Sequence, residues 1–253
     1  MDSLVLTVAL GAALAGFVQG LSGFAFSMVS AAVWAWTVPP QVTAPLLVFG
    51  SFLGQLLAVP AMRRGFSVRA VAPFVAGGLA GVPIGVAVLP HVDPVWFKAG
   101  IGAFLVVYCP FALAAAHLPK AGRQARVLDG AVGMAGGVLG GIAGMTGALP
   151  TLWCTMTGWE RDEARAVIQS FNLAMHTTTL TAYLVTGTIG AEAARLFLVV
   201  APAMLVPTLL GARLYRGISD AGFRRLVLLL LTAAGVMLLA GSVPALWGRV
   251  AGG

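Results

Sequence analysis

Residues 16–23 read GFVQGLSG, and residues 137–144 read GVLGGIAG. A shift of 121 positions aligns three glycines between the two stretches. Each stretch lies inside an apolar segment that is too long for one ordinary membrane span, 4–38 and 129–158. Glycine is disfavoured within a helix by about 1 kcal/mol relative to alanine. The stretches therefore predict either close helix packing through small residues or a helix broken at mid-membrane, which is tolerated only where the backbone is buried or lines a cavity.

The composition is typical of a polytopic all-α membrane protein. Of 253 residues, 59% are hydrophobic and only 9% are charged, and the mean hydropathy is +0.97. A soluble fold of this size has too much wet surface to bury so many apolar side chains, which excludes a cytosolic enzyme, a nucleic-acid-binding domain and a disordered chain. The charged clusters divide the single domain, 1–253, into eight apolar segments: 4–38, 41–61, 70–90, 95–117, 129–158, 164–187, 192–212 and 223–247.

The 15 lysines and arginines indicate how these segments cross the membrane. If every segment crosses once, the basic residues divide eight to seven; if 4–38 and 129–158 return to their starting side, they divide twelve to three. Cytoplasmic loops carry the excess of positive charge, so the second topology is expected, with both termini periplasmic. Whether the two long segments are re-entrant hairpins or paired short spans stays open.

The second topology predicts two inverted repeats. Repeat 1 is 1–117, a basic cytoplasmic linker is 118–128, and repeat 2 is 129–253. Each repeat consists of one glycine-broken, re-entrant or hairpin-like segment followed by three transmembrane helices. An odd number of crossings inverts one repeat relative to the other, which is a recurrent transporter design.

The polar residues inside the apolar segments are neutral. All 8 acidic residues lie in loops or at segment ends, which argues against a carboxylate proton relay, a cation site and a membrane hydrolase. Asn172 and His176 are four positions apart and share a helix face. The shift of 121 places Ser51 and Gln55 opposite them. Backbone N–H groups at a helix start bind anions, so we expect helix N-termini after the two glycine-rich stretches to face an anion in a cavity that these four side chains line.

Further hydroxyl and amide groups lie next to the glycine-rich stretches, namely Gln19, Ser22, Ser27, Thr146 and Thr151. Each candidate also has an ordinary structural explanation. Glycines in apolar helices serve packing, and membrane Ser and Thr hydroxyls usually bond to their own helix. A lone membrane histidine is more often a hydrogen-bond partner between helices than a ligand.

The remaining special residue types point to structure. The two cysteines lie in apolar stretches without a metal-binding pattern, so they are expected to be buried small hydrophobes, and no metal site or cofactor is indicated. Tryptophans near segment ends predict an interfacial aromatic belt: Trp34, Trp36, Trp96, Trp159 and Trp247.

The two glycine-rich stretches, with Phe24 after the first and Pro150 closing the second, resemble the duplicated motif of the sulfite exporter TauE/SafE family. The eight-segment plan and the short basic loop between the halves are similar too. The resemblance implies a bacterial inner-membrane transporter that exports sulfite or organosulfonates such as sulfoacetate. It also implies that the two motifs form the transport site, with these residues: Gly20, Ser22, Gly23, Phe24, Gly141, Gly144 and Gly147. The second motif departs from the family pattern, because Met145, Thr146 and Ala148 interrupt a glycine pair that usually leads into the proline.

The sequence therefore predicts a secondary transporter, not an enzyme, that moves a small inorganic or organic anion such as sulfite or a sulfonate across the lipid bilayer. Transport of another small anion or of a transition metal stays open, although a metal would call for buried His, Met or Cys pairs. A non-transporting membrane scaffold, in which the glycines only pack, stays open as well. Coupling to protons through His176, or to sodium, is undecided, and so is a homodimer; no nucleic acid is expected as a partner.

Overall fold

In the computed structural model, every regular element is helical within the described residues, 3–22, 25–62, 66–115, 117–123, 125–214 and 220–251. The first half contains α1 (Ser3–Ser22), α2 (Phe26–Trp34), α3 (Pro40–Met62), α4 (Val68–Val88) and α5 (Pro94–Ala115), with a short 3-10 turn at Leu89–His91 after α4. The second half contains α6 (Arg126–Ala143), α7 (Ala148–Thr157), α8 (Arg161–Val185), α9 (Ala191–Leu214) and α10 (Asp220–Ala251). Each half thus runs as a long helix, a short helix and three long helices.

Seven of the described helices are long and apolar enough to cross a membrane: α1, α3, α4, α5, α6, α9 and α10. The expected all-helical, multi-pass membrane protein is therefore confirmed. Helices α2 and α7 have 9 and 10 residues. At 1.5 Å per residue they reach only about 15 Å, half of a bilayer core. Helix α8 is long enough to span, with 25 residues, but its polar side chains make it the least apolar of the long helices.

Both of the overlong sequence segments are broken and fold back. The first breaks between α1 and α2, and Trp34 at the end of α2 packs against Gly11 midway along α1. The second breaks between α6 and α7, where Trp153 Nε1 of α7 donates to Asp129 Oδ1 near the start of α6 at 2.7 Å. In each case the half-length helix runs back alongside the long one. The structure thereby forms two hairpins, α1–α2 and α6–α7.

The packing partners of the helices exchange between the two halves. Helix α1 packs chiefly on α9, and α4 packs chiefly on α6. Helix α3 packs on α8, and α5 packs on α10. In chain order, α1 corresponds to α6, α3 to α8, α4 to α9 and α5 to α10. The α1–α9 pair therefore corresponds to the α6–α4 pair, whereas α3–α8 and α5–α10 each join a helix to its own counterpart.

Small residues bring these helices together. In the α4–α6 pair, an added Cβ at Gly77 would collide with the Gly130 carbonyl oxygen, and one at Gly81 would collide with that of Met134. Backbone contact of this kind is how membrane helices gain packing energy where lipid tails offer no hydrophobic driving force. The packing explanation of the glycines is therefore correct for this helix pair.

One part of the expected tryptophan belt is wrong. Trp34 has no exposed surface and makes an edge-to-face contact with Phe26, at 6.1 Å between ring centroids. It fills the space between the two arms of the first hairpin because Gly11 leaves room for the indole ring. Trp36, Trp96 and Trp247 are exposed, as side chains at a membrane interface would be.

Candidate functional site

The second hairpin turns inside the protein, through four buried residues, 144–147. Gly144 ends α6 in the left-handed conformation, with φ at +64°, which glycine adopts without a steric cost. The Gly144 and Met145 amides donate back to the last turn of α6, to Gly140 O at 2.9 Å and to Leu139 O at 3.4 Å. Gly147 then stands immediately before α7. The break thus places an irregular backbone and a helix N-terminus in the interior.

A serine of the first half bonds directly to this turn. Ser27, in the first turn of α2, donates its hydroxyl to the carbonyl oxygen of Gly144 at 2.6 Å. The same Ser27 Oγ is hydrogen-bonded to Ser51 Oγ on α3. Both serines are buried. The tip of the second hairpin is therefore held by a hydroxyl pair that the first hairpin and α3 provide.

The next hydroxyl along the turn reaches α8. Thr146 Oγ1 donates to Asn172 Oδ1 at 2.7 Å and lies 3.3 Å from His176 Nε2. Asn172 and His176 are each only 2% exposed. A hydroxyl has one proton, so when Thr146 gives it to Asn172, Nε2 of His176 bonds to the hydroxyl oxygen as an N–H donor. Within the described residues, His176 Nδ1 then has no hydrogen-bond partner.

Gly147 allows the Asn172 amide to approach the start of α7. A Cβ at residue 147 would lie 2.5 Å from Asn172 Nδ2 and 2.7 Å from Oδ1. Because Oδ1 accepts from Thr146, Nδ2 presents its two N–H donors beside the first turn of α7. The first N–H groups of a helix have no partner within the helix, and the helix dipole adds positive potential there. Hydrogen-bond donors are thus concentrated in one buried place at the start of α7.

The first break is organised by a glutamine. Gln19 Oε1 on α1 accepts from the backbone N–H of Phe26, the first residue of α2, at 3.0 Å. Gln19 is buried, and its amide packs against Gly54 of α3. Gln55, one turn beyond Ser51, is buried on the same helix. The structure thus gives Gln19 a capping contact at the start of α2.

Two of the predicted glycines pack against neighbouring helices. Gly20 packs against the backbone of Thr208 on α9. Gly141, its counterpart in the shift of 121, packs against Val82 on α4. Both are helix-packing contacts, and their assignment to the substrate site stays a prediction. Ser22 ends α1, whereas the predicted site positions 23 and 24 lie outside the described residues.

The predicted residues that do come together are Ser51, Gly144, Thr146, Gly147, Asn172 and His176. From the sequence, Ser27 was identified only as a polar residue near the first glycine-rich stretch. Its position just after the break between α1 and α2 was the signal that could have identified it as a site residue. Two tyrosines were missed. Tyr183 donates to Gly141 O at 2.6 Å, and Tyr108 donates to Ala148 O at 3.0 Å, so phenol groups fix the backbone of the second hairpin on both sides of its turn.

The searches of curated proteins and of solved structures returned no match. The family model described as "Sulfite exporter TauE/SafE" matches residues 8–238, which include most of the first hairpin, the whole of the second and the buried turn between α6 and α7. The chain therefore belongs to the sulfite exporter TauE/SafE family.

Proposed function

We propose that the chain is a secondary transporter that exports a small sulfur-containing anion, such as sulfite or an organosulfonate, across the bacterial inner membrane. Membership of the family supports transport of a small anion across a lipid bilayer. The observation that carries the proposal is the buried contact of Thr146 with Asn172 and His176, beside the N-terminus of α7. The proposed site also includes the other site residues predicted from the sequence, including those at the first break.

The chemistry of this centre suits an oxyanion. An anion that leaves water must exchange its hydration shell for hydrogen-bond donors, and a sulfite or sulfonate group has three oxygens to satisfy. Asn172 Nδ2 and the first amides of α7 can supply donors, while Ser27 and Ser51 extend the polar surface toward α3. Among the described residues the one buried carboxylate is Asp129, which bonds to Trp153 rather than to this centre. Local charge therefore does not oppose an anion.

His176 offers a physical route to proton coupling. A buried imidazolium without a counter-ion is costly, whereas an anion beside Nδ1 would pair with it. Binding of the anion and of a proton would then favour each other. We therefore propose that the anion moves together with a proton, which keeps the loaded site close to neutral.

The transport cycle follows from the two halves. We propose that α1–α5 and α6–α10 are inverted repeats, with both termini periplasmic and the basic linker cytoplasmic. The exchange of packing partners and the presence of one hairpin in each half support the repeats, and the twelve-to-three division of the basic residues supports the sidedness. Rocking of one half against the other, along the α3–α8 contact, would expose the site to either side in turn. A reporter fused to the C-terminus tests the sidedness, and a cytoplasmic signal would contradict it.

The decisive experiment is flux in proteoliposomes. Purified protein is reconstituted, and the uptake of radiolabelled sulfite and sulfoacetate is measured with and without a pH gradient. We expect saturable flux of at least one of the two anions and inhibition of that flux by the other. We also expect faster uptake when the solution outside the liposomes is more acidic than the solution inside. His176→Gln retains a polar side chain without a titratable group, and we expect it to remove the stimulation by the gradient.

Two controls belong to the flux experiment. Thr181→Val changes an exposed hydroxyl of the same helix that bonds to its own backbone, and it should transport like the wild type. Protein-free liposomes give the leak, since undissociated acids cross bilayers without a carrier. Wild-type protein with flux no greater than the leak for either anion would refute the proposed substrate class. Unchanged gradient stimulation in His176→Gln would refute the proton coupling alone.

A further inference from the structure

One face of α8 carries polar residues on both sides of the two that contact Thr146. Gln169, Asn172, His176 and Thr179 are spaced by three, four and three residues. At 100° per residue they fall within an arc of about 80°, and they extend over about 15 Å of helix. All four are buried. We call these four residues the polar face of α8.

Three members of this face have unsatisfied atoms. Within the part of the chain that the structure describes, Gln169 Oε1, His176 Nδ1 and Thr179 Oγ1 have no hydrogen-bond partner. Most buried polar groups in proteins are bonded, so three such atoms on one helix face call for an explanation. Water or a passing polar solute would supply the missing bonds.

Other threonines of α8 show that this is a property of the face and not of the residue type. The hydroxyls of Thr177, Thr178 and Thr181 each donate to the carbonyl oxygen four residues earlier, at 2.7 to 2.9 Å. These three residues are exposed or partly exposed. Thr179 lies between them in the sequence, is fully buried and does not make this bond. The unsatisfied hydroxyl is therefore confined to the polar face.

The half-length helices carry a matching feature. Ser30 Oγ on α2 and Thr151 Oγ1 on α7 are buried and lack a partner among the described residues. Their positions are 121 apart, which is the shift that aligns the two glycine-rich stretches. Each half thus places one unsatisfied hydroxyl about one turn into the short helix that follows its break.

We infer that the polar face of α8 is a wall of the anion path. In this arrangement the anion site is the contact of Thr146 with Asn172 and His176. Gln169 contacts the anion between the cytoplasmic entrance of the path and this site, and Thr179 contacts it between the site and the periplasm. Arg165, one turn before Gln169 on the same face, is exposed and places a positive charge at the mouth. The inference rests on the proposed function, because it describes how an anion would reach and leave the site of that transporter.

Flux through substituted proteins gives the first test. Gln169→Leu and Thr179→Val remove the polar groups while nearly preserving side-chain size, and Thr181→Val is the matched control on the lipid-exposed side. We expect about a tenfold fall in sulfoacetate flux for each of the first two variants, which is the usual effect of one lost buried hydrogen bond, and wild-type flux for the control. Wild-type flux in both Gln169→Leu and Thr179→Val would overturn the inference.

Cysteine accessibility gives a second test that does not require high activity. Single cysteines are placed along residues 165–181 in a Cys109→Ala, Cys154→Ala background that retains flux. They are treated with the anionic reagent 2-sulfonatoethyl methanethiosulfonate, because the reagent itself carries a sulfonate. We expect fast modification at 165, 169, 172, 176 and 179, slowed by excess sulfoacetate, which does not react with the reagent.

The pattern of modification separates the outcomes. Fast modification confined to 177 and 181 would overturn the inference, and so would, in a protein that transports sulfoacetate, the absence of protection by sulfoacetate at every position of the face. A wild-type protein that transports neither sulfite nor sulfoacetate would instead refute the proposed function. Modification at the face without protection, in a protein that does transport sulfoacetate, would show that the anion takes another route.

Discussion

Gly147→Ala is the most direct test of the contact between the second hairpin and α8. The glycine has φ of −80° and ψ of −9°, which alanine adopts readily, so the substitution adds volume without straining the backbone. The new Cβ would lie 2.5 Å from Asn172 Nδ2, whereas ordinary contacts begin at 3.4 Å. The amide must therefore retreat by about 0.9 Å. A movement of that size away from the turn stretches the 2.7 Å bond from Thr146 beyond hydrogen-bonding distance.

The expected effect follows from the displacement of the Asn172 amide, whose N–H donors no longer reach the anion. A hydrogen bond to a charged group contributes about 1.5–3 kcal/mol, which corresponds to roughly a 10- to 150-fold loss in affinity for the anion. The assay is initial sulfoacetate flux in proteoliposomes over a range of substrate concentrations. Gly190→Ala is the control, because a Cβ at that turn glycine meets nothing within 4 Å, and it should behave like the wild type.

A double substitution shows whether the effect acts through Asn172. Since Gly147→Ala and Asn172→Ala disrupt the same contact, the double variant should lose little more than Asn172→Ala alone. If the fold-losses in affinity of the two single variants instead multiply in the double variant, Gly147 acts through a contact other than the one with Asn172. Wild-type affinity in a Gly147→Ala protein that elutes as a single species would refute the assignment of this turn to the anion site.

Two further predictions separate the site from the scaffold. Ser27→Ala removes the hydroxyl that bonds both to Ser51 and to the Gly144 carbonyl oxygen, so we expect about 1–2 kcal/mol lower stability together with reduced flux, measured by thermal unfolding and by the proteoliposome assay. Gly77→Ala forces α4 away from the Gly130 carbonyl in α6, so we expect about 1–3 kcal/mol lower stability while KM for the anion stays at the wild-type value. A changed KM in Gly77→Ala would show that this helix pair also shapes the site.

The sequence was sufficient for the coarse fold because membrane burial leaves a strong signal. The apolar segments predicted the long helices. The glycine-rich stretches left close packing and a broken helix open, and the division of the basic residues favoured two segments that return to their starting side. The i,i+4 spacing likewise placed Asn172 and His176 on one face of α8, where both meet Thr146.

The sequence did not show which residue of another helix a given residue would contact in the folded protein. Gly20 and Gly147 lie in equivalent-looking motifs, yet Gly20 packs against α9 and Gly147 against a polar amide. A small residue is required in both situations, so residue type cannot distinguish them. Trp34 was assigned to the interface for a similar reason, because the space that Gly11 leaves for its ring exists only once α2 has folded back on α1.

Two hydroxyls that contact the buried turn have no counterpart in the other half of the chain. The shift of 121 pairs Thr146 with Ala25 and Ser27 with Ala148, so each of these hydroxyls occurs in one half only. Ser27 reaches across to the turn of the other half, whereas Thr146 reaches α8 within its own half. The hydroxyls of Ser27 and Thr146 both meet the turn of the second hairpin, whereas Gln19 caps the start of α2 at the first break. If an anion binds at this turn as proposed, movement of one half against the other would change its contacts with Ser27 and Ser51 before those with Asn172 and His176.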